Sequence, residues 1–100
     1  MNTYMTGTLV RSLATFTNLA GANTDPTTVT LKYRAGAGST TTVLYPSAPI
    51  IKDSQGVYHA DLDTTGWAGP GNQVWTTEWI GTGAVQVPGA DYFEVEPLAL

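Results

Sequence analysis

Cysteine is absent, which excludes disulfides, thiolate metal sites and a cysteine nucleophile, and leaves the redox compartment open. Charge is scarce: 12% of residues are charged, well below the usual quarter. A disordered tail would carry more charge and fewer aromatics. Basic groups are scarcer still, 4 Lys+Arg against 8 Asp+Glu, for a formal −4. That balance is a poor match to a phosphate backbone, so no direct nucleic-acid partner is expected. No apolar run is long enough to cross a bilayer, and no membrane partner is expected. Residues 1–22 lack a basic leader region, and Arg11 interrupts their only apolar stretch, so no targeting segment is expected. Helix-competent windows are missing as well. Every stretch long enough for a stable helix holds β-branched residues or breakers.

What is present is a 100-residue chain, enough for one small domain. It is 42% hydrophobic, with 3 Trp, 5 Tyr and 2 Phe to fill a core. Thr is the most frequent residue, and 11 Gly and 6 Pro recur at short intervals. Strand signals repeat between these breakers. Residues 9–17 place Val10, Ser12, Ala14 and Phe16 on one face. The clearest alternation is Thr28-Val29-Thr30-Leu31-Lys32-Tyr33-Arg34, with Val29, Leu31 and Tyr33 inward. Residues 40–45 return from a glycine-rich hairpin, and Pro46 and Pro49 precede a short edge segment at 50–52. In residues 57–63, Tyr58, Ala60 and Leu62 face inward while Val57, His59, Asp61 and Asp63 face solvent. Residues 74–80 set Trp75, Thr77 and Trp79 on one face, and further strands are read at 84–87 and 92–96.

The expected fold is all-β, an antiparallel immunoglobulin-like β-sandwich of about seven strands. Its core would hold Phe16, Val29, Leu31, Tyr33, Tyr58, Leu62, Trp75, Trp79, Phe93 and Val95. The runner-up is a five-stranded Greek-key barrel, whose binders usually carry the basic face missing here. Residues 1–8 read as an N-terminal extension, 9–96 as the sandwich and 97–100 as a C-terminal tail.

Little of this carries chemistry. His59 has Asp61 two residues on along the same strand face, but nothing brings a hydroxyl to it. No catalytic residue is assigned, and the chain is not expected to be an enzyme. Asp61, Asp63 and Thr65 fall at the first ligand positions of a calcium loop, with Gly66 at its turn. The closing position is Asn72 rather than Glu, and strands flank the loop, so these three are only weak metal candidates. Gly36-Ala37-Gly38-Ser39 lacks the lysine and helix of a phosphate loop and reads as a hairpin. Trp67 sits among Ala68, Gly69 and Pro70, where it either caps the sandwich end or anchors a partner. Tyr4, Met5 and Leu9, in a segment with few inward positions, are the other partner-binding candidates. Removal of residues 1–8 is expected to leave the sandwich folded.

Three stretches together carry a resemblance. They are Asp25-Pro26-Thr27-Thr28-Val29-Thr30-Leu31-Lys32-Tyr33-Arg34, Asp53-Ser54-Gln55-Gly56-Val57-Tyr58-His59-Ala60-Asp61-Leu62-Asp63 and Trp75-Thr76-Thr77-Glu78-Trp79-Ile80-Gly81-Thr82-Gly83. In this order they resemble small immunoglobulin-like virion proteins of tailed bacteriophages, over residues 9–95. In similar sequences a Gly stands almost directly before the Trp that matches Trp75. Here Asn72, Gln73 and Val74 intervene after Gly71, so the loop carrying Trp67 looks longer than usual. The Gly56-x-Tyr58 turn fits either a tyrosine corner or the start of the preceding strand.

The resemblance implies a structural role in the virion, on the head surface, with host cytoplasm as the place of assembly. It implies the major capsid protein or other virion proteins as partners, with a homo-oligomer among the options, and no cofactor. A neck or tail accessory protein is the nearest alternative. A carbohydrate- or host-surface-binding module is the other, since loop-tip Trp and Tyr in sandwiches often stack on sugars.

Overall fold

The computed structural model describes residues 2–83 and 89–97. Among them the chain forms eight strands and no helix: β1 (Asn2–Met5), β2 (Leu9–Thr15), β3 (Val29–Ala35), β4 (Thr41–Leu44), β5 (Ile50–Ser54), β6 (Val57–Asp63), β7 (Gln73–Gly81) and β8 (Gly89–Glu96). They make two packed sheets, one of five strands in the order β1-β8-β7-β3-β4 and one of three in the order β2-β6-β5. The period-two pattern explains why: β3 and β7 each bury alternate residues and pair antiparallel, with Leu31 opposite Trp79.

The expected all-β class and layered architecture are present. Two expectations need correction. Pairing is not wholly antiparallel, because β1 runs parallel to β8, with Tyr4 beside Val95. Nor are residues 2–5 an extension, since they form the edge strand of the larger sheet. The Tyr4 ring packs edge-on against Phe93 at 5.8 Å. Beyond β1, the Thr6 hydroxyl donates to the Thr64 carbonyl (2.7 Å) and the Thr64 hydroxyl donates to the Thr8 carbonyl (2.6 Å). Removing residues 1–8 would therefore expose Phe93 and strip the buried Thr64 hydroxyl of its acceptor. The strand read at 84–87 lies outside the described residues.

The core holds every expected residue except Tyr33, which is half-buried, and adds Val10, Ala14, Ile50 and Ala60. Two aromatic groups divide it. Tyr33 stacks on Trp75 (6.4 Å) and Trp75 on Phe93 (5.6 Å), continuing to Tyr4 across four strands. Toward the other end, Tyr58 meets Phe16 (5.7 Å) and Tyr45 (5.3 Å) edge-on. One bond ties the sheets together: the Trp79 indole N–H on β7 donates to Ser12 Oγ on β2 at 2.9 Å.

Gly56 holds the β5–β6 turn at φ +74°, in the left-handed region that favours glycine. A Cβ there would lie 2.6 Å from the Phe16 carbonyl oxygen and 2.8 Å from the Thr24 amide nitrogen, so the chain crosses too closely for a side chain. Tyr58, two residues on, lies in β6 itself, so the Gly56-x-Tyr58 turn opens that strand.

Candidate interaction surface

The outer face of the three-stranded sheet is the most distinctive surface of the molecule. Leu9, Arg11 and Leu13 of β2 point outward, as do His59 and Asp61 of β6 and Ile51 of β5. Strand register lines up Leu13, His59 and Ile51 as one row across the sheet. Three large apolar side chains stand in solvent here: Leu9 is 65% exposed, Leu13 60% and Ile51 53%. Singly exposed apolar residues are ordinary; here three share one sheet face.

His59 faces outward as the alternation requires, yet it is only 6% exposed, which corrects the expectation of a solvent-facing side chain. It stands on the central strand, in register between Leu13 and Ile51. Its Nδ1 lies 2.7 Å from Asp53 Oδ2, and its Nε2 lies 4.0 Å from Asp61 Oδ2. The imidazole is thus held beneath the surface by a carboxylate.

Asp61 belongs to Arg11. The guanidinium Nε and Nη2 donate to its two oxygens at 2.9 and 3.1 Å. These bonds, with the charge behind them, hold the Asp61 carboxyl below its ordinary value and Arg11 above its own. Asp63 instead accepts the Thr65 amide at 3.0 Å, closing a local turn. The weak metal candidates Asp61, Asp63 and Thr65 are therefore not drawn together. Among the described residues no group of three or more His, Asp or Glu side chains could hold an ion.

The four partner-binding candidates have different settings. Leu9 belongs to the apolar patch, and Met5 is half-exposed at the end of β1. Tyr4 is spent against Phe93. Trp67 is half-buried against the core, its backbone N–H donating to Thr6 Oγ1 (3.3 Å) and its indole N–H to the Gly71 carbonyl (2.9 Å). The ring caps the sandwich end.

Asp25 was legible only as the breaker of an Asp-Pro turn, but it organises a second cluster. Its Oδ1 accepts the Gly56 amide (2.8 Å) and the Tyr58 hydroxyl (3.4 Å), and its Oδ2 accepts Lys52 Nζ (2.8 Å). The Lys52 bond first, and the Gly56 amide second, hold its carboxyl below the ordinary value. Burial, then the Asp25 charge, pushes the Tyr58 hydroxyl up. Sequence alone pairs no residue with Asp25, because its partners lie 27 to 33 positions away.

The larger sheet offers a different surface. Lys32, Arg34, Thr42, Thr76, Glu78 and Tyr92 line an open groove of about 540 Å³ on its outer face. Arg11 and Lys52 are in ion pairs. Among the described residues, Lys32 and Arg34 are in none.

No family model, curated protein or solved structure matches this chain.

Proposed function

We propose that the chain is a non-enzymatic structural protein of a tailed-bacteriophage particle, attached as an accessory or decoration subunit to the outer surface of the head. The observation that carries this reading is the Leu9, Leu13 and Ile51 patch, on a face where Arg11 and Asp61 are already paired and His59 is bonded to Asp53. Those paired groups can be covered by another protein with little loss of charge hydration. The strand order supports an immunoglobulin-like identity for the fold. With β2, β6 and β5 as strands B, E and D, the order β8-β7-β3-β4 is G, F, C and C′. In that comparison β1 has left the first sheet for the edge of the second. The formal −4 charge suits the outside of a shell better than contact with packaged DNA.

Purified particles test the proposal. The chain should co-purify with heads at high, fixed copy number. Ile51→Glu should reduce that occupancy at least tenfold while leaving the melting temperature within a degree or two, as a surface change. Absence from particles, or a few copies at the tail tip, would end the head reading.

A second reading has its own observation. The groove on the larger sheet combines threonine hydroxyls, two basic groups without ion pairs and a half-exposed Tyr92, which suits an acidic saccharide. Calorimetric titration with uronic-acid oligosaccharides should show binding that Tyr92→Ala abolishes. No heat from the unmodified protein would remove this reading.

A further inference from the structure

A sheet edge with free backbone groups is a template for another strand, and proteins ordinarily blunt it. Three of the four edges here are blunted. β1 and β4 are only four residues long. β5 is five residues long, follows Pro49 and carries a register shift between Lys52 and Ser54 as well as the charges of Lys52 and Asp53. β2 is the exception. It runs straight for seven residues from Leu9 to Thr15, with no proline and no bulge against β6. Its lone charged residue, Arg11, is held by Asp61. Among the described residues, the other side of β2 has no strand partner.

We propose that two copies of this chain pair through their β2 edges, antiparallel about a two-fold axis at Ser12. The sequence of the strand selects both occupant and register. Alternation allows only registers that keep outward residues opposite outward residues, so shifts occur in steps of two. Centring on Arg11 would set two guanidiniums face to face, and centring on Leu13 would leave Leu9 and Val10 unpaired. Centring on Ser12 pairs all seven residues, with Leu9 opposite Thr15, Arg11 opposite Leu13 and Ser12 on the axis. Each Leu13 then lies across the aliphatic stem of the second copy's Arg11, while that guanidinium stays with its own Asp61. The product is one six-stranded sheet, β5-β6-β2-β2-β6-β5, with every edge blunted. Two acidic chains meet where local charge is neutral, which keeps their general repulsion small at the contact. The pairing is isologous and closed, so it stops at two copies.

The proposal does not depend on the particle reading, although a dimer would double the apolar patch and strengthen attachment by avidity. Sedimentation velocity over a concentration series tests it on the full chain. The strand contact is at the small end of specific interfaces, so a dimer with a dissociation constant of roughly 1–100 µM is expected. Leu13→Lys places an ammonium opposite Arg11 of the second copy and should shift dissociation at least tenfold. Its circular dichroism should stay unchanged, as should its melting temperature at concentrations where the wild type is monomeric, because Leu13 is already exposed. Leu44→Lys, on the β4 edge, should leave the dimer intact. Hydrogen exchange of the β2 amides should slow as concentration rises. A wild type monomeric at every concentration, a Leu13→Lys variant that still dimerises, or a dimer lost in Leu44→Lys would each overturn the proposal. Particle occupancy enters none of these readouts, so the two proposals fail separately.

Discussion

The two sheets turn opposite characters to solvent. The larger shows threonines, Lys32, Arg34 and Glu78 around an open groove, and the smaller shows leucines and an isoleucine around a covered histidine. Both have central strands whose outward residues are flanked on either side, so position alone does not decide exposure. Glu78, outward on β7, stays exposed although Lys32 stands opposite it on β3. His59, outward on β6, is buried on the middle strand of its sheet, with Leu13 and Ile51 in register on either side and Asp53 bonded to a ring nitrogen. Facing outward and being exposed are separate properties.

The largest test of this comparison removes what both sheets share. Trp79→Ala takes the indole from between them along with its bond to Ser12, and should cost about 3–5 kcal/mol in denaturant unfolding. That is a large share of the roughly 5–15 kcal/mol available to a domain of this size. A loss no greater than that of an exposed residue would mean the sheets do not close over Trp79.

A turn substitution comes next. Gly56→Ala brings a methyl against backbone atoms as well as a disfavoured φ, and should cost about 2–3 kcal/mol. Gly21→Ala, at a similar φ but with open space around it, should cost about 1 kcal/mol. Equal melting shifts would refute the close crossing at Phe16 and Thr24.

The third test addresses the two outward faces directly. His59→Ala empties a buried place on the central strand and removes the bond to Asp53, and should cost about 1–2 kcal/mol. Glu78→Ala, at the corresponding outward place of the other sheet, should stay within about 0.5 kcal/mol. Urea titrations of the pair would break the comparison if the two values coincide.

The smallest effect is in acid. Asp25 and Asp61 have folded-state carboxyls below the ordinary value of 3.8, so each stabilises the fold above that pH. The contribution falls away as pH drops through the lowered folded values. Urea midpoints should therefore decline below about pH 4, and the decline should be shallower in Asp25→Asn. An unchanged acid slope in that variant would separate Asp25 from the stability of the β5–β6 turn.

The faces of β2, β3, β6 and β7 were legible because each alternates cleanly over seven or more residues. The burial of His59 was not, since it depends on which strand stands in the middle, and alternation does not encode strand order. β1 escaped for a related reason. Four residues with only Tyr4 turned inward make no period, and its partner β8 lies at the far end of the chain. The burial of Thr6 and Thr64 was not legible either, because their hydroxyl partners are distant backbone carbonyls. The end-capping place of Trp67 was within reach, as glycines and proline around an indole leave it only the sandwich end or a partner. Of the interaction surface, the sequence offered Leu9 alone. Leu13 and Ile51 emerge only when the register brings them to either side of His59.

The parallel pairing of β1 with β8 has a mechanical consequence. Asn2 lies beside Phe93 and Met5 beside Glu96, so the two strands enter and leave the sheet at opposite ends. Tension applied along the polypeptide from both sides would slide β1 against β8 lengthwise. Their hydrogen bonds would be loaded together in shear instead of being peeled apart singly. A domain wired in this way resists pulling along its length through its first four-residue strand, whatever the strength of its core.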